Sequence, residues 1–147
     1  MRNKGYQNSF DNEVLEANAF KLVELLYRGG LESIAAARRN LQVGDIRARS
    51  RAISKAMAIV TELSLSLNHN AGGELSRNLA ELYAYIEKLL IQANVEQCDP
   101  PLAEAERLLS TLGESWTRCA QAQTASGPQA REPREANSIH AEISIAC

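Results

Sequence analysis

The sequence predicts an all-α protein, an antiparallel up-down bundle of four long helices. Three observations carry that expectation: apolar residues recur every three or four positions over four long stretches, glycine or proline separates those stretches, and β-forming residues are scarce. The chain has 147 residues with only two Phe, one Trp and four Pro, and three of those prolines lie at or beyond residue 101. One domain is expected from that length.

The first stretch runs from Asn18, a good N-cap, to about Leu41, with Leu22, Leu26, Gly30, Ile34 and Ala37 in step and Val23 and Tyr27 widening the stripe. Gly29 and Gly30 sit inside it, each costing about 1 kcal/mol against alanine, which points to a close helix crossing. Val43-Gly44-Asp45 reads as a C′ glycine followed at once by an N-cap aspartate, so the second helix must turn back on the first. That second helix, about 45 to 68, carries Ile46, Ile53, Met57, Val60, Leu63 and Leu67 on its stripe. It ends in Asn68-His69-Asn70-Ala71-Gly72-Gly73, a turn by composition, in which His69 is expected to cap the helix end.

The third helix, about 73 to 95, repeats Leu75, Leu79, Leu82, Ile86, Leu89 and Ala93, while Tyr83, Tyr85, Leu90 and Ile91 spread apolar character beyond one face. The fourth opens on Asp99 and Pro100 and repeats Leu102, Ala105, Leu109, Leu112, Trp116 and Cys119, a seam of coiled-coil type. Residues 1–17 read as an N-terminal arm, 18–123 as the bundle and 124–147 as a disordered tail whose Ile139, Ile143 and Ile145 alternate with polar residues.

The net charge of −2 and the absence of a long apolar run argue against nucleic acid and against membrane insertion, and no secretory leader is evident. Cys98, Cys119 and Cys147 are odd in number and widely spaced, which suggests neither a disulfide framework nor a metal site and fits a reducing compartment. Bundle di-iron sites need Glu-x-x-His pairs, and neither His69 nor His140 has a glutamate three residues before it. No metal, cofactor or catalytic residue is therefore expected. The run Arg38, Arg39, Arg47, Arg49, Arg51, Lys55 faces only Asp45 in sequence, and it leaves open an alternative role, binding nucleic acid or an acidic protein.

Several segments taken together resemble a known family. These are Gly5-Tyr6-Gln7, the run Leu22-Val23-Glu24-Leu25-Leu26-Tyr27-Arg28-Gly29-Gly30-Leu31, Gly44-Asp45, Gly72-Gly73-Glu74-Leu75-Ser76-Arg77-Asn78-Leu79 with Leu82-Tyr83-Ala84-Tyr85, and Trp116. Their order is similar to that in the bacterial flagellar secretion chaperones that hold flagellin, the FliS family. The resemblance covers about residues 5 to 120 and departs at Asn18-Ala19, where the family usually has Ser-Pro, and at Arg28, where it has Asp.

The resemblance implies a cytoplasmic chaperone that binds the disordered C-terminal segment of flagellin, prevents premature polymerisation and delivers it to the flagellar type III export gate. A homodimer is a further possible assembly. The client is expected on helices two and three, at Ile53, Met57, Val60, Leu79, Leu82, Tyr83 and Ile86, with Tyr6 of the arm lying over the groove when no client is bound.

Overall fold

The computed structural model describes the backbone of residues 4–67 and 69–125, and the side chains of residues 12, 14, 15, 17–67 and 72–122. Four helices follow one another: α1 (Lys4–Gln42), α2 (Ile46–Leu65), α3 (His69–Glu96) and α4 (Pro100–Ala125), with no strand among the described residues. Each helix packs on its two neighbours in a ring, α1 on α2, α2 on α3, α3 on α4 and α4 back on α1. This is the expected up-down four-helix bundle.

α1 continues to Lys4 instead of beginning at Asn18, which is exposed inside the helix. No proline interrupts Lys4 to Asn18, and Glu13, Leu15, Glu16 and Ala17 are good helix formers, so nothing local stops the helix there. Tyr6 and the isoleucines of residues 138–147 lie outside the described side chains.

The turn from α1 to α2 is a full Schellman motif. Gly44 takes φ +76°, the Asp45 amide donates to the Asn40 carbonyl at 2.9 Å and the Gly44 amide to the Leu41 carbonyl at 3.2 Å. Asp45 then serves α2 as well, its carboxylate accepting from the Ala48 amide at 3.0 Å. A residue that closes one helix and opens the next leaves no slack, and the two helices run back to back.

α2 stops at Leu65, short of residue 68, because Ser66 caps it and turns its hydroxyl onto the Leu63 carbonyl at 2.6 Å. α3 starts at His69, earlier than residue 73, yet Gly73 has φ +54° and ψ −126°, which breaks the helix where the glycine pair was expected to turn. The side chain of His69 lies outside the described residues, so its expected capping role does too.

The core is a continuous stripe from each helix. On α4 all six seam residues, Leu102, Ala105, Leu109, Leu112, Trp116 and Cys119, are buried. On α1 the buried large or apolar side chains are Val23, Tyr27, Ile34 and Ala37, while Leu22 is 58% exposed. The stripe is thus rotated by one residue from the one expected at that end of the helix. Cys98 is a free thiol.

Arg38 ties the ends of α1 and α4 together. Its guanidinium donates to both carboxylate oxygens of Asp99, at 2.8 and 2.9 Å, and to Glu106 at 3.2 Å. The Asp99 carboxylate is therefore spent on Arg38, and α4 is opened by the Asp99 carbonyl, which accepts from Ala103, and by Pro100 at the first position. All three charged side chains are about a third exposed or more, so screening holds the cluster to about 1 kcal/mol.

The glycine pair behaves as its placement suggested. A Cβ at Gly30 would stand 2.8 Å from Leu109 Cδ2 and 3.4 Å from Ile59 Cγ2, and one at Gly29 would stand 3.3 Å from Ile59 Cδ1. The bare backbone of α1 thus packs against side chains of both α2 and α4. Alanine in a helix interior is worth about 1 kcal/mol over glycine, while overpacking a core costs about 1–3 kcal/mol. Leu109 is fully buried, so its tip can give way only by displacing the side chains packed round it. Gly30→Ala is expected to lower the thermal midpoint, by about 1 kcal/mol of stability or more, and Gly29→Ala to leave it unchanged or raise it; calorimetry of the two variants checks the difference.

Candidate functional site

The seven residues expected to hold a client divide between core and surface. Ile53, Val60, Leu79, Tyr83 and Ile86 are at most 1% exposed and line the closed core, where nothing reaches them unless the helices part. Met57 and Leu82 are half-buried and remain reachable. The two sit in different seams. Met57 lies one turn before Thr61, whose hydroxyl donates to Glu87 of α3 at 2.8 Å, so it lines the α2–α3 seam. Leu82 lies one turn before Tyr85, whose hydroxyl donates to Glu104 of α4 at 2.8 Å, so it lines the α3–α4 seam.

Between those seams runs the outer strip of α3. Ala84, Lys88, Ile91 and Val95 follow one another at i, i+4, i+7 and i+11 and are all exposed, Ile91 by 50% and Val95 by 74%. Tyr85, 42% exposed, flanks the strip on the α4 side. Of the four residues that spread apolar character round this helix, Tyr83 and Leu90 went to the core and Tyr85 and Ile91 stayed outside. Val95 was missed by the sequence reading, although its spacing from Ile91 and Ala84 is the signal that finds it. More apolar surface lies at the start of α1, where Leu15, Leu22 and Leu25 are 64%, 58% and 46% exposed.

A second concavity runs along the α1–α4 seam. Its larger part, about 640 Å³, is lined by Tyr27, Leu31, Ser110 and Gly113 and rimmed by Glu24, Arg28, Glu114 and Arg118. A further part of about 490 Å³ continues past Leu31 and Ser110 to Ala35, Ala103 and Glu106. Small residues open it, and charges of both signs line its edge.

Among the described residues no group of three His, Cys, Asp or Glu is placed to hold a metal ion, and no helix is long and apolar enough to cross a membrane. Of the basic run, Arg38 is consumed by Asp99 and Glu106 and Arg49 is buried at 3% exposure, leaving Arg39, Arg47, Arg51 and Lys55 in solvent.

Fold and surface together define a class, the antiparallel helical bundles that close an apolar core round a few buried polar groups and leave one helix with an apolar outer strip. The model of the family described as flagellar protein FliS matches residues 1–123. A flagellar secretion chaperone FliS of Salmonella typhimurium is 37% identical over 111 residues, which cover 75% of this chain and 82% of that protein. FliSB of Pseudomonas aeruginosa, also a flagellar secretion chaperone, is 36% identical over 114 residues, 77% of this chain and 90% of that one. FliS of Bacillus subtilis is 30% identical over 112 residues, 76% and 83% of the two chains. The chain belongs to the FliS family of flagellar secretion chaperones, which is not an enzyme family.

Tyr83 and Tyr27 meet in the middle of the bundle, one hydroxyl donating to the other at 2.5 Å. Burial pushes the Tyr27 hydroxyl up to about 12, partly offset by the bond from Tyr83, and burial likewise raises Tyr83, aided by the neighbouring Tyr27. Both folded values lie above the unfolded value of 10.0. The stability they lend is whole below pH 10 and is lost as pH climbs from there through 12, since the unfolded chain ionises first. In a titration followed by tyrosinate absorbance, these two are expected to ionise only as the helical signal collapses. A Tyr27→Phe/Tyr83→Phe variant should lose less stability between those pH values than the parent.

Proposed function

We propose that this chain is a cytoplasmic export chaperone for flagellin. It binds the disordered C-terminal segment of flagellin, keeps it from polymerising before export and delivers it to the flagellar type III export apparatus. Membership of the FliS family supports the reading, and so do the names of its relatives as flagellar secretion chaperones.

The observation that carries it is the outer strip of α3 with a seam on either side. Ile91 and Val95 stand in solvent while Met57 and Leu82 sit half-covered in the two flanking seams. A chain laid across α3 would cover all four without opening the core. Covering a side chain such as Ile91 is worth about 1–2 kcal/mol, whereas ordering a disordered client costs several kcal/mol in total. A short contact is therefore too weak, and the client must wrap over more than one seam, which the layout permits. Mass action suffices for binding and release, with no nucleotide consumed.

The client-binding residues that follow are Met57 and Leu82 in the seams with Tyr85, Ile91 and Val95 between them. Ile53, Val60, Leu79, Tyr83 and Ile86 act from below by holding the helices in place. Calorimetric titration with the flagellin C-terminal segment tests this. Ile91→Asp/Val95→Asp, at exposed positions, is expected to keep the fold and weaken binding about tenfold or more. Unchanged affinity in a folded variant, or co-purification that recovers nucleic acid and no flagellin, would overturn the reading.

A further inference from the structure

We infer that the outer face of α2 is a second docking surface, which takes an acidic helical segment of another protein while α3 carries the client. Arg47, Arg51 and Lys55 stand at i, i+4 and i+8 on α2 and all three are exposed. That spacing puts them on one face in a row about 12 Å long.

Among the described residues these cations have no ion-pair partner, and the ion pairs take up Lys21, Arg28 and Arg38 only. Where the bundle needs a cation to close itself it supplies the acids, as Asp99 and Glu106 do for Arg38; the one acid of α2, Glu62, lies seven residues beyond Lys55 and forms no ion pair among the described residues. Asp45 is the acid nearest the row in sequence, and its carboxylate accepts from the Ala48 amide.

Three further features strengthen the positive potential there. Arg39, on the last turn of α1, is exposed and is brought to the start of α2 by the tight Schellman turn. Arg49 lies under the same turn of α2, 3% exposed, and its Nε has no acceptor. The α2 N-terminus adds the partial positive charge of its macrodipole.

The pattern fits a helix with carboxylates at the same i, i+4, i+8 spacing lying alongside α2. Nucleic acid fits it less well: the row is short, no aromatic side chain lies on it to stack a base, and the chain as a whole carries −2. The surface is separate from the client strip, since the flank of α2 that meets α3 is marked by Ser50 and Thr61, which bond Asn94 and Glu87.

The test uses the full chain and fluorescence anisotropy with two probes, a labelled alanine-based helical peptide bearing glutamates at i, i+4 and i+8, and a labelled single-stranded DNA of the same net charge. The peptide is expected to bind, and to bind about tenfold more weakly when salt rises from about 50 to 200 mM. Arg47→Gln/Arg51→Gln/Lys55→Gln should lower peptide affinity at least tenfold while helical content and affinity for the flagellin segment stay as they were. Lys21→Gln, which removes a cation elsewhere, should change nothing. The inference is overturned if the parent does not bind the peptide at low salt, if the folded triple variant binds it as well as the parent, or if the DNA binds as tightly as the peptide.

Discussion

The bundle depends on how closely α1 can approach two helices at once. At Gly30 the backbone of α1 lies against Leu109 of α4 and Ile59 of α2, with Gly29 against Ile59 from the adjoining position. Two glycines mid-helix are a local cost of about 1 kcal/mol each, and what offsets it is the contact that the missing side chains permit. Gly113 repeats the device from the other side, where a Cβ would stand 3.3 Å from Tyr27 Cβ. With α1 drawn in, Tyr27 reaches across the core to Tyr83 of α3, a hydrogen bond between diagonally placed helices.

That diagonal bears on function because it decides which way α3 faces. Tyr83 is held inward by its hydroxyl partner and is fully buried, and a helix anchored in that phase must turn Ala84, Ile91 and Val95 to the outside. The polar links between α3 and its neighbours then fall at the edges: Glu87 and Asn94 toward α2, and Tyr85 toward α4. An apolar strip bounded by hydrogen-bonded edges is therefore a consequence of how the core is keyed. The surface proposed for the client and the row of cations on α2 are two products of one closed core.

Much of this was legible in the residues. Periodicity located all six core positions of α4, and Gly44-Asp45 announced a turn that proved to be a complete Schellman motif. Gly73 was read as a turn and does take a positive φ, although helix is present on both sides of it. Periodicity could not settle the phase of a broad stripe, which is why Leu22 was placed inside and is 58% exposed while its neighbour Val23 is buried. The same limit applies at the candidate site. Ile53, Val60, Leu79, Tyr83 and Ile86 have the spacing of a groove and the spacing of a core, and only the packing of the other helices distinguishes the two. The tie from Arg38 to Asp99 joins residues 61 positions apart, and no local pattern reports it.

The central claim is that the client is held on the outside of a bundle that stays closed. Hydrogen exchange of the backbone amides, with and without the flagellin C-terminal segment, tests it most directly, because amides in a helix exchange only when the helix opens. The account predicts that amides around Leu79, Tyr83, Ile86 and Ile53 keep or increase their protection when the segment binds, as α3 is clamped from outside. Faster exchange at those amides on binding would show that the helices part to admit the client, and would contradict the account.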